Sequence, residues 1–397
     1  MTVRPNWPLF ALLVWAGGVV GVGIAGYLRP QTGTVFPIYA IAARDWVAGK
    51  PDLYVLQAQT VEFYRYSPTF AVATIPFAEL PPAWGNGLFM LLNGAAFAVA
   101  LWVWVRHGLA WEPTPDQAAA LVLLVAVVVP VSLATAQANL VMTGLVLLGL
   151  TAAAHDRWWA AAFALAAATL VKVYPLALSL VLAVVFWRRL PLRYAVALAV
   201  LMAVPFLTQA PEYVADRYTE WATHLRHSDE VNRVRLRNLS KLFELAGHPI
   251  RADVFRLMAV AAGGVVLLVG LVPDGRRERL TRVLAWFSVW ALLYSPGTEN
   301  ATYAIMAPSV AEAFVRYRWW ASRLVLGAVI VLTGPAITDL FGRLGNVIGD
   351  RYGGPALAGV LFQGWLVAEL VASRWGRTPD ATPNAHTPSV AVASPGA

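Results

Sequence analysis

Apolar stretches long enough to form membrane helices recur along most of the chain, separated by short segments rich in Pro, Gly, Arg and polar turn residues. A membrane-crossing helix needs about 20 mainly apolar residues, fewer where neighbours enclose it. By that measure candidate spans lie near 8–28, 85–105, 117–134, 138–154, 158–171, 174–187, 194–208, 254–272, 283–296, 302–315, 323–339 and 355–373. The stretch 67–81, SPTFAVATIPFAELP, is also apolar, but Pro68, Pro76 and Glu79 make it a re-entrant or interfacial segment rather than a full crossing. The pattern predicts an all-α polytopic membrane protein, a bundle of about twelve transmembrane helices within residues 1–375. Two long extracytoplasmic loops are expected at 29–66 and 209–253. In the first of them, IYAIAARDWVAG sets Ile38, Ile41, Ala42 and Trp46 on one face of a helix lying on the membrane. The tail, 376–397, is rich in Pro, Ser, Thr and Ala and is expected to be disordered and cytoplasmic.

Composition sharpens this picture. With 59% apolar and 13% charged residues, a water-soluble globule is excluded, and 17 Trp suit membrane interfaces. The absence of Cys removes disulfides, thiolate catalysis and Cys-ligated zinc. Arginines cluster where alternate turns would face the cytoplasm, at Arg188, Arg189 and Arg193, at Arg276, Arg277, Arg279 and Arg282, and at Arg316, Arg318 and Arg323. With the N-terminus inside, the whole formal charge of +8 falls on that face, as the positive-inside rule requires. The expected location is the plasma (inner) membrane, multi-pass, with both termini cytoplasmic and the first helix retained. The pI near 9.9 then reflects topology and anionic lipid head groups, with no role for nucleic acid.

Chemistry is expected where polar groups gather at membrane depth, since each costs several kcal/mol unless it finds a partner or a cavity. Three turns on the outer side carry such groups: ATAQAN with Gln137 and Asn139, LVKVYP with Lys172 and Tyr174, and SPGTENATY with Thr298, Glu299, Asn300 and Tyr303. The segments FYRYSP (Arg65, Tyr66) and RVRLRNLS (Arg233, Arg235, Arg237, Asn238, Ser240) lie on the same side. Lys172, alone between two apolar helices, either binds a lipid phosphate or snorkels to the head groups. Gln137 and Asn139 suit helix-to-helix hydrogen bonding as well as substrate contact. The histidines at 224, 227 and 248 show no metal spacing with nearby carboxylates, so neither a metal nor another cofactor is expected.

In this order and spacing the residues Tyr39, Ala40, Gly49, Leu53, Tyr54, Tyr66, Pro68, Gln137, Asn139, Lys172, Pro175, Asn238, Ser240, Ser295 and Pro296 resemble glycosyltransferase family 87. That family has the GT-C type of fold and includes polyprenol-phosphate-mannose-dependent mannosyltransferases. The resemblance implies metal-independent, inverting transfer of a hexose, mannose in the first instance, from a polyprenyl-phosphate donor to a lipid or glycan acceptor on the extracytoplasmic side. It also implies an aspartate four residues before Tyr39, as the general base, where this chain has Val35. The histidine-containing turn that follows Ser-Pro in many members is replaced here by GTENATY. A base is still required to take the acceptor's proton while the lipid phosphate leaves. Position nominates Glu299, with Glu62 and Asp45 in reserve. Lys172 and Arg65, joined by Arg235 and Arg237, are the expected phosphate binders, and Gln137, Asn139, Tyr66, Asn238 and Asn300 the expected sugar-hydroxyl partners. Two other readings remain at this stage: a transporter or lipid flippase, and a catalytically inactive relative that binds glycolipid.

Overall fold

The computed structural model describes residues 5–55, 63–227, 237–295, 297–338 and 347–374, and among these it is helical with no β-strand. Among the described residues, five helices, or helices with their continuations, are long and apolar enough to cross a membrane: Trp7–Leu28, Pro82–Gly108, Ala252–Leu271, Trp320–Ile337 and Gly354–Ser373. Each of the other predicted runs also contains helix, in shorter or broken pieces. The run 117–134, for instance, is Pro115–Val128 followed by Pro130–Ala134, because Pro130 cannot continue the preceding hydrogen-bond ladder.

In chain order the first helices are α1 (Trp7–Leu28), α2 (Phe36–Val47), α3 (Pro68–Ala78) and α4 (Pro82–Val103), followed by α5 (Pro115–Val128), α6 (Pro130–Ala134), α7 (Asn139–Ala154) and α8 (Trp158–Val171). Then come α9 (Tyr174–Val185), α10 (Pro191–Ala203), α11 (Pro211–His227), α12 (Leu239–Leu245), α13 (Ala252–Leu271) and α14 (Arg276–Leu293). A 3₁₀ segment, Asn300–Ile305, precedes α15 (Ala307–Arg316), α16 (Trp320–Thr333) and α17 (Gly354–Arg374). Proline starts many of these helices, since its missing N–H falls where a helix has no acceptor for it anyway.

Buried polar side chains cross-link the bundle. The Trp15 indole N–H donates to the Val122 carbonyl at 3.0 Å, joining α1 to α5, and the Asn86 amide donates to the Gly26 carbonyl at 2.9 Å, joining α4 to α1. Away from water such bonds have no solvent competitor, which makes them register marks between helices.

The helix expected at the first outer loop forms as α2, with Ala42 and Trp46 buried and Ile38 and Ile41 half-buried. It packs along α3, with much of its surface enclosed by protein. At its end the Trp46 indole N–H donates to Thr208 Oγ1 at 3.0 Å. Helix α3 is eleven residues long, about 16 Å at roughly 1.5 Å per residue, and so about half the thickness of a hydrocarbon core. Its N-cap, Ser67, donates to the Leu170 carbonyl at the end of α8. At its other end the Phe77 carbonyl lies against Gly85 of α4, beside the ring of Phe36.

Gly85 lets α2, α3 and α4 converge, because a Cβ there would run into the Phe77 carbonyl oxygen and press on the Phe36 ring. Gly85→Ala is therefore expected to cost about 1–3 kcal/mol through overpacking, seen as a lower thermal midpoint of the purified protein. An unchanged midpoint would mean that this contact does not set the helix spacing.

Candidate functional site

Four separate stretches of chain meet at one end of the bundle, and each is fixed by local bonds. In FYRYSP, the Tyr64 hydroxyl donates to the Ser67 carbonyl and the Tyr54 hydroxyl to the Tyr66 carbonyl, both at 3.0 Å. The Trp221 indole N–H of α11 donates to the Arg65 carbonyl at 3.3 Å. In ATAQAN, Asn93 of α4 grips both sides of the turn: its amide N–H donates to the Gln137 carbonyl at 3.0 Å, and its carbonyl accepts the Val141 N–H at 2.9 Å. Ala136 there adopts φ +55°, a conformation disfavoured for a residue with a Cβ. Strain of this kind is held only where surrounding bonds over-determine it.

The Lys172 turn follows from helix-end chemistry. Helix α8 stops at Lys172, whose extended backbone breaks the helix while its N–H still reaches the Ala168 carbonyl at 3.0 Å, and α9 opens two residues on at Tyr174, with Pro175 in its first turn. The cation thus sits at a helix C-terminus, where the backbone dipole favours it. In the fourth stretch, the Thr298 carbonyl accepts the Arg237 N–H at 2.8 Å, and the Glu299 N–H donates to Thr302 Oγ1 at 3.1 Å.

Together these stretches enclose a cavity of about 360 Å³ whose wall includes Arg65, Tyr66, Gln137, Lys172, Tyr174 and Glu299, with Val35 and Tyr39 from the start of α2. Among the described lining residues the charged side chains are two cations, Arg65 and Lys172, and one carboxylate, Glu299. The Lys172 ammonium lies 5.7 Å from the Tyr66 ring centroid and 5.6 Å from that of Tyr174, within cation–π range of both. Burial works against its charge, but Tyr174, Tyr66 and the Glu299 carboxylate more than offset this, and its pKa lies above the ordinary lysine value. Burial pushes the Tyr66 hydroxyl well above the usual phenol range, with Lys172 pulling part of the way back. At neutral pH Lys172 is a cation and Tyr66 is uncharged.

Beside the cavity lies an apolar cleft of about 420 Å³, lined by Phe70, Phe77, Phe89, Leu92, Leu145 and Leu170 among others. Packed rings lie between the two spaces, with Tyr39 and Tyr66 on the cavity side and Phe70 and Phe89 on the cleft side. Phe70 stacks on Tyr66 with centroids 4.9 Å apart, and Tyr39 meets Phe70 and Phe89 edge-on or tilted at 5.3 and 5.4 Å.

Of the residues predicted from sequence, Glu299, Lys172, Arg65, Tyr66 and Gln137 share the cavity wall. Asp45 does not line it; it is buried on α2 and ion-paired with Lys50 at 2.7 Å. The Asn238 amide is used internally, donating to the Ser295 carbonyl at 3.0 Å and accepting the Lys241 N–H at the start of α12. Arg237, Asn139 and Asn300 lie outside the lining set. Arg237 is buried, and its carbonyl accepts the Tyr303 hydroxyl at 2.7 Å. Both polar atoms of the Asn139 side chain, and Asn300 Oδ1, are buried without a hydrogen-bond partner among the described residues. Glu62 and Arg235 fall outside the described residues. The sequence placed Tyr174 in the polar Lys172 turn and Tyr39 among the family-resembling residues, but assigned neither a role at the site. The available signal was Tyr174's place two residues from Lys172.

The sequence profile described as Glycosyltransferase family 87 matches residues 63–296, more than half of the chain. The chain belongs to glycosyltransferase family 87. The match takes in Arg65, Tyr66, Gln137, Lys172, Tyr174 and Ser295 of the cavity wall; Val35 and Tyr39 precede it, and Glu299 lies three residues beyond it. No curated protein matches the sequence. Among solved structures, ArnT from Cupriavidus metallidurans bound to undecaprenyl phosphate is similar, with a TM-score of 0.48 and 16% identity, covering 92% of this chain and 78% of that one.

The Tyr39 hydroxyl is the tie between α2 and two of the converging stretches: it accepts the Ala138 N–H at 3.3 Å and shares a hydrogen bond with the Tyr66 hydroxyl at 2.9 Å. Tyr39→Phe leaves both partners short of a bond and is expected to cost about 1–3 kcal/mol, measured as a lower thermal midpoint. A midpoint equal to wild type would show that this network carries no weight.

Proposed function

We propose that this family 87 protein transfers a hexose, mannose in the first instance, from a polyprenyl-phosphate donor to a hydroxyl of a lipid or glycan acceptor on the extracytoplasmic side of the plasma (inner) membrane. The observation that carries the reading is the charge content of the cavity, two cations and one carboxylate among the described residues, with an apolar cleft behind its aromatic wall. A polyprenyl-phosphate sugar has the matching parts, namely a monoanionic phosphodiester, a polar sugar and a long apolar chain. In this account Lys172 and Arg65 hold the phosphate, Gln137 and Tyr66 meet sugar hydroxyls, and the isoprenoid lies along Phe70, Phe77 and Leu170.

The reaction is a single displacement at the anomeric carbon. Glu299 accepts the proton of the acceptor hydroxyl, the oxygen bonds to the anomeric carbon on the face opposite the phosphate, and the sugar–phosphate C–O bond breaks. The bonding pair leaves with the lipid phosphate, and the configuration inverts. Lys172 and Arg65 stabilise the charge gained by the departing phosphate, so the residues supply an electrophilic role that a divalent ion would otherwise fill. Val35 supports the assignment of Glu299. It brings an apolar side chain to the cavity where the family resemblance implies an aspartate, and Glu299 is the carboxylate among the lining residues. The base would then come from the turn after α14 and no longer from the start of α2.

The test is sugar transfer by the purified protein in lipid, with labelled polyprenyl-phosphate-mannose and host lipid extract. Wild type is expected to transfer, and Glu299→Gln to lose about a hundredfold or more in rate, the size of a general-base contribution. Transfer by wild type that survives in Glu299→Gln would keep the enzyme and move the base elsewhere. Failure with this and other polyprenyl-phosphate sugars would favour a glycolipid-binding relative without activity.

A further inference from the structure

The opposite end of the bundle holds a second polar cavity that the transfer reaction does not use. Helix α14 joins the two: Glu278, Thr281 and Arg282 in its first turns line the second cavity, and Ser295, just past its end, lines the first. The second cavity also measures about 360 Å³ and is walled by the ends of α13, α15 and α17.

This end of the chain is rich in arginine, yet the cavity is acidic. Asp274, Glu278, Glu312 and Glu369 face it against Arg282 and Arg316. Asp274 pairs with Arg282, and Glu312 with Arg316 at 3.5 Å. Glu312 is the deepest of these acids, its side chain 9% exposed, and one of its oxygens also accepts the Trp111 indole N–H at 2.9 Å. Glu369 accepts the Tyr317 hydroxyl at 2.6 Å, and four carboxylates share the described wall with two arginines.

Two further features point to a ligand. Ser309 Oγ and Thr281 Oγ1, on residues 4% and 9% exposed, line the cavity and have no hydrogen-bond partner among the described residues. The rest of the wall is aromatic: Trp365 lies edge-on to Tyr317 at 5.0 Å and stacks on Phe362 at 5.9 Å, and Trp286 lines the same space. Carboxylates in excess of arginines, idle hydroxyls and aromatic faces together suit an organic ammonium ion. Such an ion donates to carboxylates and hydroxyls while its charge rests on ring faces. A bare metal ion would gain nothing from the aromatic wall, and an anion would meet four carboxylates.

We propose that this cavity is a binding site for a primary ammonium group, with Glu369 and Glu312 as counter-ions and Ser309 and Thr281 as hydrogen-bond partners. The ammonium group belongs either to an aminoalkyl phospholipid head group or to a free small amine.

Two arms separate these sources. In the first, ethanolamine is titrated calorimetrically into the full-length protein in a maltoside detergent. In the second, the protein is placed in nanodiscs of phosphatidylglycerol with a minor share of phosphatidylethanolamine, and the lipids it retains are read by native mass spectrometry. Wild type is expected to bind one equivalent saturably in at least one arm. Glu369→Gln, which keeps an acceptor for Tyr317, should weaken that binding by about tenfold or more, as expected for losing a charged hydrogen-bond partner. Ser309→Ala, a smaller change that should fold as wild type, should weaken it by less. Saturation in the first arm alone identifies a free amine, and selective retention of phosphatidylethanolamine identifies the head group. The proposal is overturned if neither probe binds saturably, if both variants bind as wild type does, or if Mg²⁺ binds there and displaces ethanolamine.

Discussion

A lysine ammonium at the end of apolar helices must be given partners by the fold, because loss of hydration penalises its charge. Lys172 is met by the rings of Tyr66 and Tyr174 and by the charge of Glu299, and these come from three different stretches of chain. Most of the architecture around the cavity serves that convergence. Ser67 ties the Tyr66 loop to the end of α8, Asn93 pins the Gln137 turn to α4, and Tyr39 bonds across from α2. Cavity shape and cavity charge therefore have one cause: each bond that satisfies a buried polar group also holds a wall in place.

The same economy governs the close approach of α2, α3 and α4. Gly85 allows the backbone of α4 to meet the Phe77 carbonyl, and that approach brings Phe36, and with it the start of α2, against the bundle. Val35 and Tyr39 reach the cavity from that start. This packing sets an apolar cleft and a charged cavity on the two sides of the Tyr39, Tyr66, Phe70 and Phe89 rings.

The sequence disclosed the helical, membrane-embedded character readily, since apolar runs of span length announce themselves whatever their partners. It disclosed less about which runs cross. Pro130 splits one run into α5 and α6, and α3 is too short to cross although its composition matches its neighbours. Length and hydropathy alone leave five clear candidates. At the site, isolated charges in tight turns were the readable signal, and Lys172, Arg65 and Glu299 do share one cavity. Asp45 was not separable by type from a catalytic carboxylate; only its pairing with Lys50, five residues on, sets it aside. Asn238 looked like a sugar ligand because helix caps and sugar ligands draw on the same side chains, and the difference lies in partners the sequence does not show. Tyr39 was hidden for the opposite reason. An aromatic residue on a helix face reads as core, and its hydroxyl matters only because Ala138 and Tyr66 arrive beside it.

The central claim is that the cavity around Lys172 receives the phosphate of a polyprenyl-phosphate donor. The most direct measurement is a cryo-electron-microscopy structure of the protein in nanodiscs with a polyprenyl phosphate added. The account predicts phosphate density within hydrogen-bonding distance of the Lys172 ammonium, with the isoprenoid running over Phe70 toward Leu170. Phosphate density at the arginine-rich end of the bundle, or an isoprenoid chain that leaves the Lys172 cavity vacant, would contradict it.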